Sequence, residues 1–390
     1  MTLELNKVTP QIDHMGHVLA GRAAHQGKVL PAARALLAAF ADRQAELCLV
    51  AESEPGQRLR CASPGDERLD VAYAPPALPA EVTIVAADGS QIYPDRHGIA
   101  FYYAINTGSI VFRHGSGQAP EVRTEPRLCY ADDELYPGGA PVSGDLVSAE
   151  RTLAEMRALA QVTLAEPPAG PPRVALGDGP LLIWLQRANL PQGRQERILA
   201  DYLDCLDRLR LGRATVSGFV SRPHSAEVIA LLYLAQLKLA ARQQVKSLAE
   251  TDYRGLTDRA LFGYLSPGER SALFVRGTAA NLDFRDRGHT IHFFYLNTGS
   301  DLARVEVPEW VARDPDRLGL AHAAVYDQCR CNNGYPYVLT RADELAVILG
   351  EEREALEGMI MQAMARHGLS LPELSRKAQQ KQAARWRRRR

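Results

Sequence analysis

Two aspartates follow apolar, β-branched segments, and each is succeeded by glycine. Asp88 comes after Glu81–Ala87 (EVTIVAA), and Asp178 comes after Arg173–Gly177 (RVALG). Short apolar runs of this kind predict buried strands. If the two strands are parallel neighbours, their carboxyl ends meet at one sheet edge and the carboxylates lie side by side. Paired carboxylates are hard oxygen ligands for Mg²⁺ or Mn²⁺, and two such ions can hydrolyse a phosphodiester.

The same Asp-Gly pairs also have an ordinary structural explanation. Aspartate and glycine are residues that tight turns prefer, so either pair alone is most simply a turn after a strand. The matching context of the two pairs, an apolar strand followed by Asp-Gly, favours the metal site.

The remaining pattern predicts the elements that would hold these aspartates. Strands and helices follow in the order strand, hairpin, helix, strand, helix, strand, helix. They are a strand at 81–87, a hairpin of Ile99–Ile105 and Ser109–Arg113 about Asn106-Thr107-Gly108, a helix at Asp145–Ala165, a strand at Arg173–Gly177, a helix at Glu196–Leu211, a strand at Ala214–Val220 and a long helix at Ser225–Ala249. This α/β order fits a ribonuclease-H-like mixed sheet flanked by helices, with the first and fourth strands as neighbours.

The ends of the chain predict a further division. Residues 1–75 form an N-terminal helical extension and linker, residues 76–370 the main domain, and residues 371–390 a basic, disordered tail. Within the main domain, a strand pair at His289–Leu296 and Ala303–Val307 and a final helix over Arg341–His367 follow the long helix.

Composition excludes several classes of protein. The 390 residues include 46 Lys+Arg and 46 Asp+Glu and are 46% hydrophobic, which excludes global disorder. No apolar run reaches the ~18 residues of a membrane helix, and Met1–His14 lacks the layout of a secretory signal, so we expect a cytoplasmic protein without membrane contact. The six cysteines include no C-x-x-C pair, and no P-loop sequence occurs.

At these residues the chain resembles the NurA nuclease family. The motifs that carry the resemblance extend from about Val82 to Ile348 and are Ala86-Ala87-Asp88-Gly89-Ser90, the Arg151–Glu155 helix, Leu176-Gly177-Asp178-Gly179-Pro180-Leu181, Gly218-Phe219-Val220-Ser221-Arg222, Phe293-Phe294-Tyr295, Ala303-Arg304-Val305-Glu306-Val307-Pro308 and Gly334-Tyr335-Pro336-Tyr337-Val338-Leu339. Each motif is short, and their number and order make the match specific.

The resemblance implies a function and partners. Family members resemble ribonuclease-H-fold, Mn²⁺-dependent nucleases that process DNA ends, with 5′-to-3′ exonuclease and single-strand endonuclease activity, and Mg²⁺ is the alternative ion. They form homodimers that dock on the hexameric HerA translocase. The resemblance implies Asp88, Glu155 and Asp178 as metal ligands. Glu150 is the rival for the helical ligand, because periodicity cannot choose between the two; the family's spacing favours Glu155.

Two departures from the family pattern concern further site residues. Asp343 stands near the start of the predicted last helix, where the family often has histidine, so it is either a fourth catalytic carboxylate or a helix N-cap. The family's Ser-Lys pair is Ser221-Arg222 here, and arginine retains a phosphate-binding charge. We expect Arg222 and Arg304 to hold phosphate and Tyr295 either to pack in its hairpin or to line the cleft.

Two other functions remain open. One is a catalytically inactive adaptor of the same fold that docks on a translocase, and the other is an RNA nuclease. The three core carboxylates argue against the adaptor, whereas two-metal chemistry does not distinguish RNA from DNA.

Overall fold

The computed structural model describes residues 4–183, 185 and 192–369. The strands in this part of the chain are β1 (Ser63–Pro64), β2 (Val82–Ile92), β3 (Tyr103–His114), β4 (Glu121–Cys129), β5 (Arg173–Asp178), β6 (Thr215–Val220), β7 (Phe274–Val275), β8 (Ile291–Asn297) and β9 (Leu302–Pro308). The α-helices are α1 (Leu5–Ala39), α2 (Gln44–Glu52), α3 (Glu54–Leu59), α4 (Asp132–Leu135), α5 (Gly144–Ala165), α6 (Gln192–Leu211), α7 (Glu227–Gln236), α8 (Leu239–Gln244), α9 (Asp258–Leu261), α10 (Ala280–Arg285), α11 (Glu309–Ala312), α12 (Pro315–Cys331), α13 (Tyr337–Ala346) and α14 (Gly350–Arg366).

The chain divides into two compact units. Over the described residues the mixed sheet has nine strands. The first unit comprises Met1–Leu78, Gly179–Leu182 and Ser217–Pro336, and the second comprises Pro79–Asp178, Ile183–Val216 and Tyr337–Arg390. This division differs from the predicted one at residue 75, because the N-terminal helices do not form a domain of their own. Leu37 and Leu47 instead share a hydrophobic core with Leu231 of α7.

The second unit has the predicted ribonuclease-H-like strand order. β2, β3 and β4 form an antiparallel meander, and β5 lies parallel to β2 on its other side. The first and fourth strands of this series are therefore neighbours, as predicted. Helices α5 and α13 pack against β2 and β3.

The predicted hairpin about Asn106-Thr107-Gly108 is wrong. Those residues lie inside the single strand β3, and the Asp88-Gly89-Ser90 segment likewise lies inside β2 rather than in a turn after it. The two segments pair with each other, Asp88 opposite Gly108 and Ser90 opposite Asn106. The glycines accommodate helices: a Cβ at Gly108 would lie 2.6 Å from the backbone nitrogen of Ala346 in α13.

In the first unit the strand order is β1, β7, β8, β9, β6, and β8 and β9 are the predicted strand pair. The predicted long helix at Ser225–Ala249 is broken into α7, α8 and a short 3-10 turn. Arg242 stabilises the break, since its guanidinium donates to the carbonyl oxygens of Ala235 and Leu237 at 3.1 and 2.9 Å. The predicted last helix is also two helices, α13 and α14.

Two further predictions concern the basic C-terminal tail and the absence of a membrane-spanning helix. The basic tail at 371–390 lies outside the described residues. Among the residues that are described, no helix has both the length and the apolar character needed to cross a bilayer.

A buried carboxyl group fixes the start of α7 in the first unit. The oxygens of Asp258 accept hydrogen bonds from the backbone N–H groups of Val228 and Ile229 and from the Tyr295 hydroxyl. Burial raises the pKa of Asp258 to about 7 from its ordinary value of 3.8, although the backbone donors act in the opposite direction. The folded protein therefore binds this proton more tightly than the unfolded chain does.

Asp258→Asn should make stability less dependent on pH. A carboxyl whose folded pKa is raised contributes most below its unfolded pKa, and its contribution is lost as pH rises through the folded value. As pH rises from about 4 to 8, the free energy of unfolding of the wild type should decrease relative to that of Asp258→Asn. Urea denaturation at each pH measures both values. The exposed Asp286, changed to Asn, is the control. A wild type that gains stability relative to the Asp258→Asn variant as pH rises would contradict the raised pKa.

Candidate active site

The register of β2 and β5 brings the two strand aspartates to equivalent positions. Ala87 pairs with Gly177 in the parallel ladder, so Asp88 and Asp178 are the next residue on each strand. Asp88 is partly buried and Asp178 is exposed. Asp178 interacts electrostatically with both Asp88 and Glu155. The two carboxylates are therefore neighbours as the sequence predicted, but only Asp178 ends its strand, because β2 continues past Asp88 to Ile92.

Glu155 reaches this region from α5 through the space that Gly89 leaves. A Cβ at Gly89 would lie 2.8 Å from Glu155 Oε1, so any larger residue would displace the carboxylate. Arg151, one helical turn earlier, places its Nε 3.3 Å from the same oxygen and donates from Nη1 to the Gly89 carbonyl at 3.1 Å. Glu155 Oε1 is buried and makes no hydrogen bond.

Asp343 belongs to the same group of charges. It lies on α13 and acts electrostatically on Asp88. The predicted N-cap role is wrong, because α13 begins at Tyr337 and Asp343 lies well inside it. All four predicted catalytic carboxylates therefore belong to the second unit and are linked by their charges.

The proximity of these acids shifts their titration. Burial raises the pKa of Asp88 to about 6, and the negative charges of Asp178 and Asp343 add to the rise. Burial likewise raises the pKa of Glu155 to about 8, with Asp88 and Asp178 acting in the same direction and Arg151 opposing them. Arg151 lowers the pKa of both Asp88 and Glu155 but does not cancel these rises. A bound divalent cation would favour the charged carboxylates and reverse the shifts.

The side chains of this group provide the type of ligand atom that a hard divalent cation prefers. All four side chains offer carboxylate oxygens, and Glu155 Oε1, although 3.3 Å from Arg151 Nε, accepts no hydrogen bond from the described residues. In the part of the chain described, no three His, Cys, Asp or Glu side chains are close enough to hold a metal ion as they stand. Coordination would therefore require the carboxylates to draw together.

Comparison with known proteins assigns the chain to a family. The NurA domain model matches residues 82–348, more than half of the sequence. The chain belongs to the NurA family. No curated protein sequence matches it.

Solved NurA structures resemble the chain at low sequence identity. The NurA nuclease from Sulfolobus solfataricus is 11% identical, with a TM-score of 0.49 over 76% of this chain and 88% of that one. A second NurA crystal structure is 10% identical, with a TM-score of 0.43 over 78% of this chain and 92% of the other. A NurA structure described as bound to dAMP and manganese is 14% identical, with a TM-score of 0.37 over 74% and 90% of the two chains.

Glu150, the rival for the helical carboxylate in this NurA chain, is oriented elsewhere. Its carboxylate forms an ion pair with Arg194 of α6, at 2.6 Å from Nη2, and its side chain is 7% exposed. Glu155, by contrast, lies against Gly89 and feels the charges of Asp88 and Asp178. The structure thus groups Glu155, and not Glu150, with the strand aspartates.

Arg151 is the residue of this site that the sequence prediction did not include. It interacts with Asp88 electrostatically and contacts both Gly89 and Glu155. Its spacing of four from Glu155 is the available signal, since residues at i and i+4 share a helix face. The same spacing is common in solvent-exposed ion pairs, so the sequence alone does not assign it to a site.

The three predicted substrate-binding residues belong to the first unit and differ in exposure. Arg222 follows β6 with its side chain 77% exposed, an ion pair to Asp301 at 3.0 Å and a backbone φ of 45°. A positive φ is unfavourable for a side chain as large as arginine, so the surrounding structure must hold this turn. Arg222 is accessible to a phosphate.

Tyr295 and Arg304 are buried instead. The Tyr295 ring stacks on Phe262, and its hydroxyl donates to Asp258. Arg304 binds Glu306 at 2.8 Å and also contacts Ser225, and Glu306 is completely buried. The sequence predicted a phosphate contact for Arg304 and left Tyr295 either to pack in its hairpin or to line the cleft. Both side chains have their partners inside the first unit.

Arg304→Ala should unfold the protein more readily rather than weaken substrate binding selectively. It removes a partner of the buried Glu306 and leaves an incompletely compensated charge, a change that typically costs about 3–5 kcal/mol. Arg313→Ala, which breaks an ion pair at a side chain that is 77% exposed, should change the free energy of unfolding by less than about 1 kcal/mol. Urea denaturation measures both. Unchanged stability together with weaker DNA binding would instead support a substrate contact.

Proposed function

We propose that the chain is a metal-dependent nuclease that hydrolyses DNA phosphodiesters, with Mn²⁺ as the ion and Mg²⁺ as the alternative. The observation that carries the proposal is the parallel register of β2 and β5, which ends in Asp88 and Asp178 with Glu155 beside them. Membership of the NurA family supports a nuclease. The description of one NurA structure as bound to dAMP and manganese agrees with the choice of ion.

In this proposal Asp88, Glu155 and Asp178 would hold the metal, and Asp343 would assist from α13. Bound divalent ions supply an activated water and stabilise the leaving oxygen. The partly buried Glu155 carboxylate lies against Gly89 and Arg151, whose guanidinium limits the repulsion among the acids. Arg151 is 33% exposed, so part of its charge faces solvent, where a phosphate group would approach.

The proposed substrate is DNA. The chain would process DNA ends by 5′-to-3′ exonuclease and single-strand endonuclease activity. The proposed partners are a second copy of the chain and a HerA-type hexameric ATPase. Support for an external motor comes from the sequence, which contains no P-loop with which the chain could power translocation. Zero formal net charge means that DNA binding relies on local arginines such as Arg222 rather than on a basic surface overall.

The first test compares two glutamates on one helix. Glu155→Gln should reduce Mn²⁺-dependent cleavage of end-labelled DNA by more than about 100-fold, because even partners that only orient metal ligands are worth about 10–100-fold. Its stability should be unchanged, since the raised pKa favours the protonated carboxyl near neutral pH and glutamine is its neutral isostere. Glu150→Gln should show the reverse, a less stable protein that still cuts DNA once folded, because it loses the pair with Arg194. Asp88→Asn and Asp178→Asn should reduce cleavage in the same way.

The outcomes separate the competing functions. A folded wild type that cuts no DNA with Mn²⁺ or Mg²⁺, even with its cognate translocase, would contradict the proposal and favour the inactive adaptor. Faster cleavage of a matched RNA than of the DNA would favour an RNA nuclease. Loss of activity in Glu150→Gln with retention in Glu155→Gln would reassign the helical carboxylate.

Arg222→Ala should weaken DNA binding and reduce its salt dependence. Each phosphate contact that is lost lowers the slope of log K against log salt by about 0.7 on single strands. Fluorescence anisotropy in EDTA measures binding apart from cleavage. Arg259→Ala is the matched control, because Arg259 also pairs with Asp301 but is less exposed. Equal effects of the two variants would attribute the loss to Asp301 rather than to a phosphate contact.

A further inference from the structure

The end of α13 is fastened to the sheet by two side chains. Asn106 Nδ2 donates to the carbonyl oxygen of Ala346 at 2.9 Å, and Ser90 Oγ donates to the same oxygen. Asn106 Nδ2 also lies 3.4 Å from the carbonyl oxygen of Leu345. The last carbonyls of a helix have no partners within the helix, so these side chains satisfy groups that would otherwise need water.

The two side chains lie on the same face of the sheet as Asp88. Ser90 is opposite Asn106 in the β2–β3 ladder, and Asp88 is opposite Gly108. Alternate residues of a strand point to the same face, so the two pairs are neighbours on one surface. Helix α13 covers that surface, because a Cβ at Gly108 would lie 2.6 Å from Ala346 N and 2.7 Å from Ala342 O.

Asp343 lies within one helical turn of this attachment. Asp343 precedes Ala346 by three residues, within one helical turn, and the Asp343 carbonyl accepts a hydrogen bond from Val347 N at 3.0 Å. The helix backbone between them is rigid, so a shift of the Ala346 carbonyl moves Asp343 as well. Asp343 acts electrostatically on Asp88, the residue opposite the Gly108 notch.

We propose that Asn106 is a positioning residue that holds Asp343 against Asp88, with Ser90 as the second anchor on the same carbonyl. Asparagine is disfavoured in strands, and the structure gives its amide a specific use at the end of α13. The inference rests on the proposed function, in which Asp343 acts with the metal-binding carboxylates.

The experiment is a double-mutant cycle read by Mn²⁺ binding. Full-length wild type, Asn106→Ala, Asp343→Asn and the double variant are titrated with Mn²⁺ alone, and free Mn²⁺ is followed by electron paramagnetic resonance. Asn106→Ala should weaken binding by about 10-fold, the lower end for a residue that orients a metal ligand. The double variant should bind no more weakly than Asp343→Asn, because Asn106 acts through Asp343.

Asn297→Ala is the matched control. Asn297 lies on β8 in the first unit and donates from Nδ2 to the backbone carbonyl of Leu265 at 2.6 Å. Its replacement by alanine therefore removes a hydrogen bond comparable to that of Asn106. It should lower thermal stability while Mn²⁺ affinity stays at the wild-type value. If Asn106→Ala fails to fold, Ser90→Ala and Ser90→Thr replace it, and only the threonine variant, which retains the hydroxyl, should retain full affinity.

Three results would overturn the inference. Wild-type Mn²⁺ affinity in folded Asn106→Ala would show that the anchor is only structural. Additive losses in the double variant would show that Asn106 does not act through Asp343. Absence of Mn²⁺ binding by the wild type would overturn the proposed function and this inference with it, whereas normal wild-type binding and cleavage with an unaffected Asn106→Ala would overturn the inference alone.

Discussion

Repulsion among carboxylates that the fold holds together is the constraint on which the rest of the site depends. The parallel pairing of β2 with β5 makes Asp88 and Asp178 neighbours, and α5 and α13 add Glu155 and Asp343. Folding must overcome this repulsion. A strand ladder and two helices packed on it hold the backbone in place, and the Arg151 guanidinium opposes the repulsion at Asp88 and Glu155. A site assembled at such a cost is suited to binding cations, which convert the repulsion into binding energy.

Two glycines make this assembly possible, and they also explain where sequence reasoning failed. Gly89 and Gly108 were expected in turns, because glycine after aspartate or asparagine is typical turn chemistry. Both instead lie inside strands, where the absence of a Cβ lets Glu155 approach from α5 and lets α13 lie directly on β3. Glycine occurs both in turns and where another element packs closely against the backbone, so local sequence does not distinguish the two situations. The strand order, set by longer apolar runs, was predictable.

Other differences arise from side-chain contacts that hydrophobic periodicity does not reveal. The end of α7 depends on Arg242, whose guanidinium takes carbonyls that a continuous helix would keep. Tyr295 and Arg304 have the residue types of a DNA-binding surface, but a buried partner, Asp258 or Glu306, holds each inside the first unit. Helical periodicity could not separate Glu155 from Glu150. The ion pair between Glu150 and Arg194 of α6 distinguishes them, because it directs Glu150 away from the strand aspartates.

The central claim is that the carboxylate group binds divalent cations, and anomalous X-ray scattering from Mn²⁺ tests it most directly. Crystals of the full-length protein grown with Mn²⁺, and matched crystals of Asp178→Asn, would be measured at the manganese edge. The account predicts strong anomalous density among Asp88, Glu155 and Asp178 in the wild type and its loss or marked weakening in the variant. Manganese bound only elsewhere, or equal density in both crystals, would contradict it.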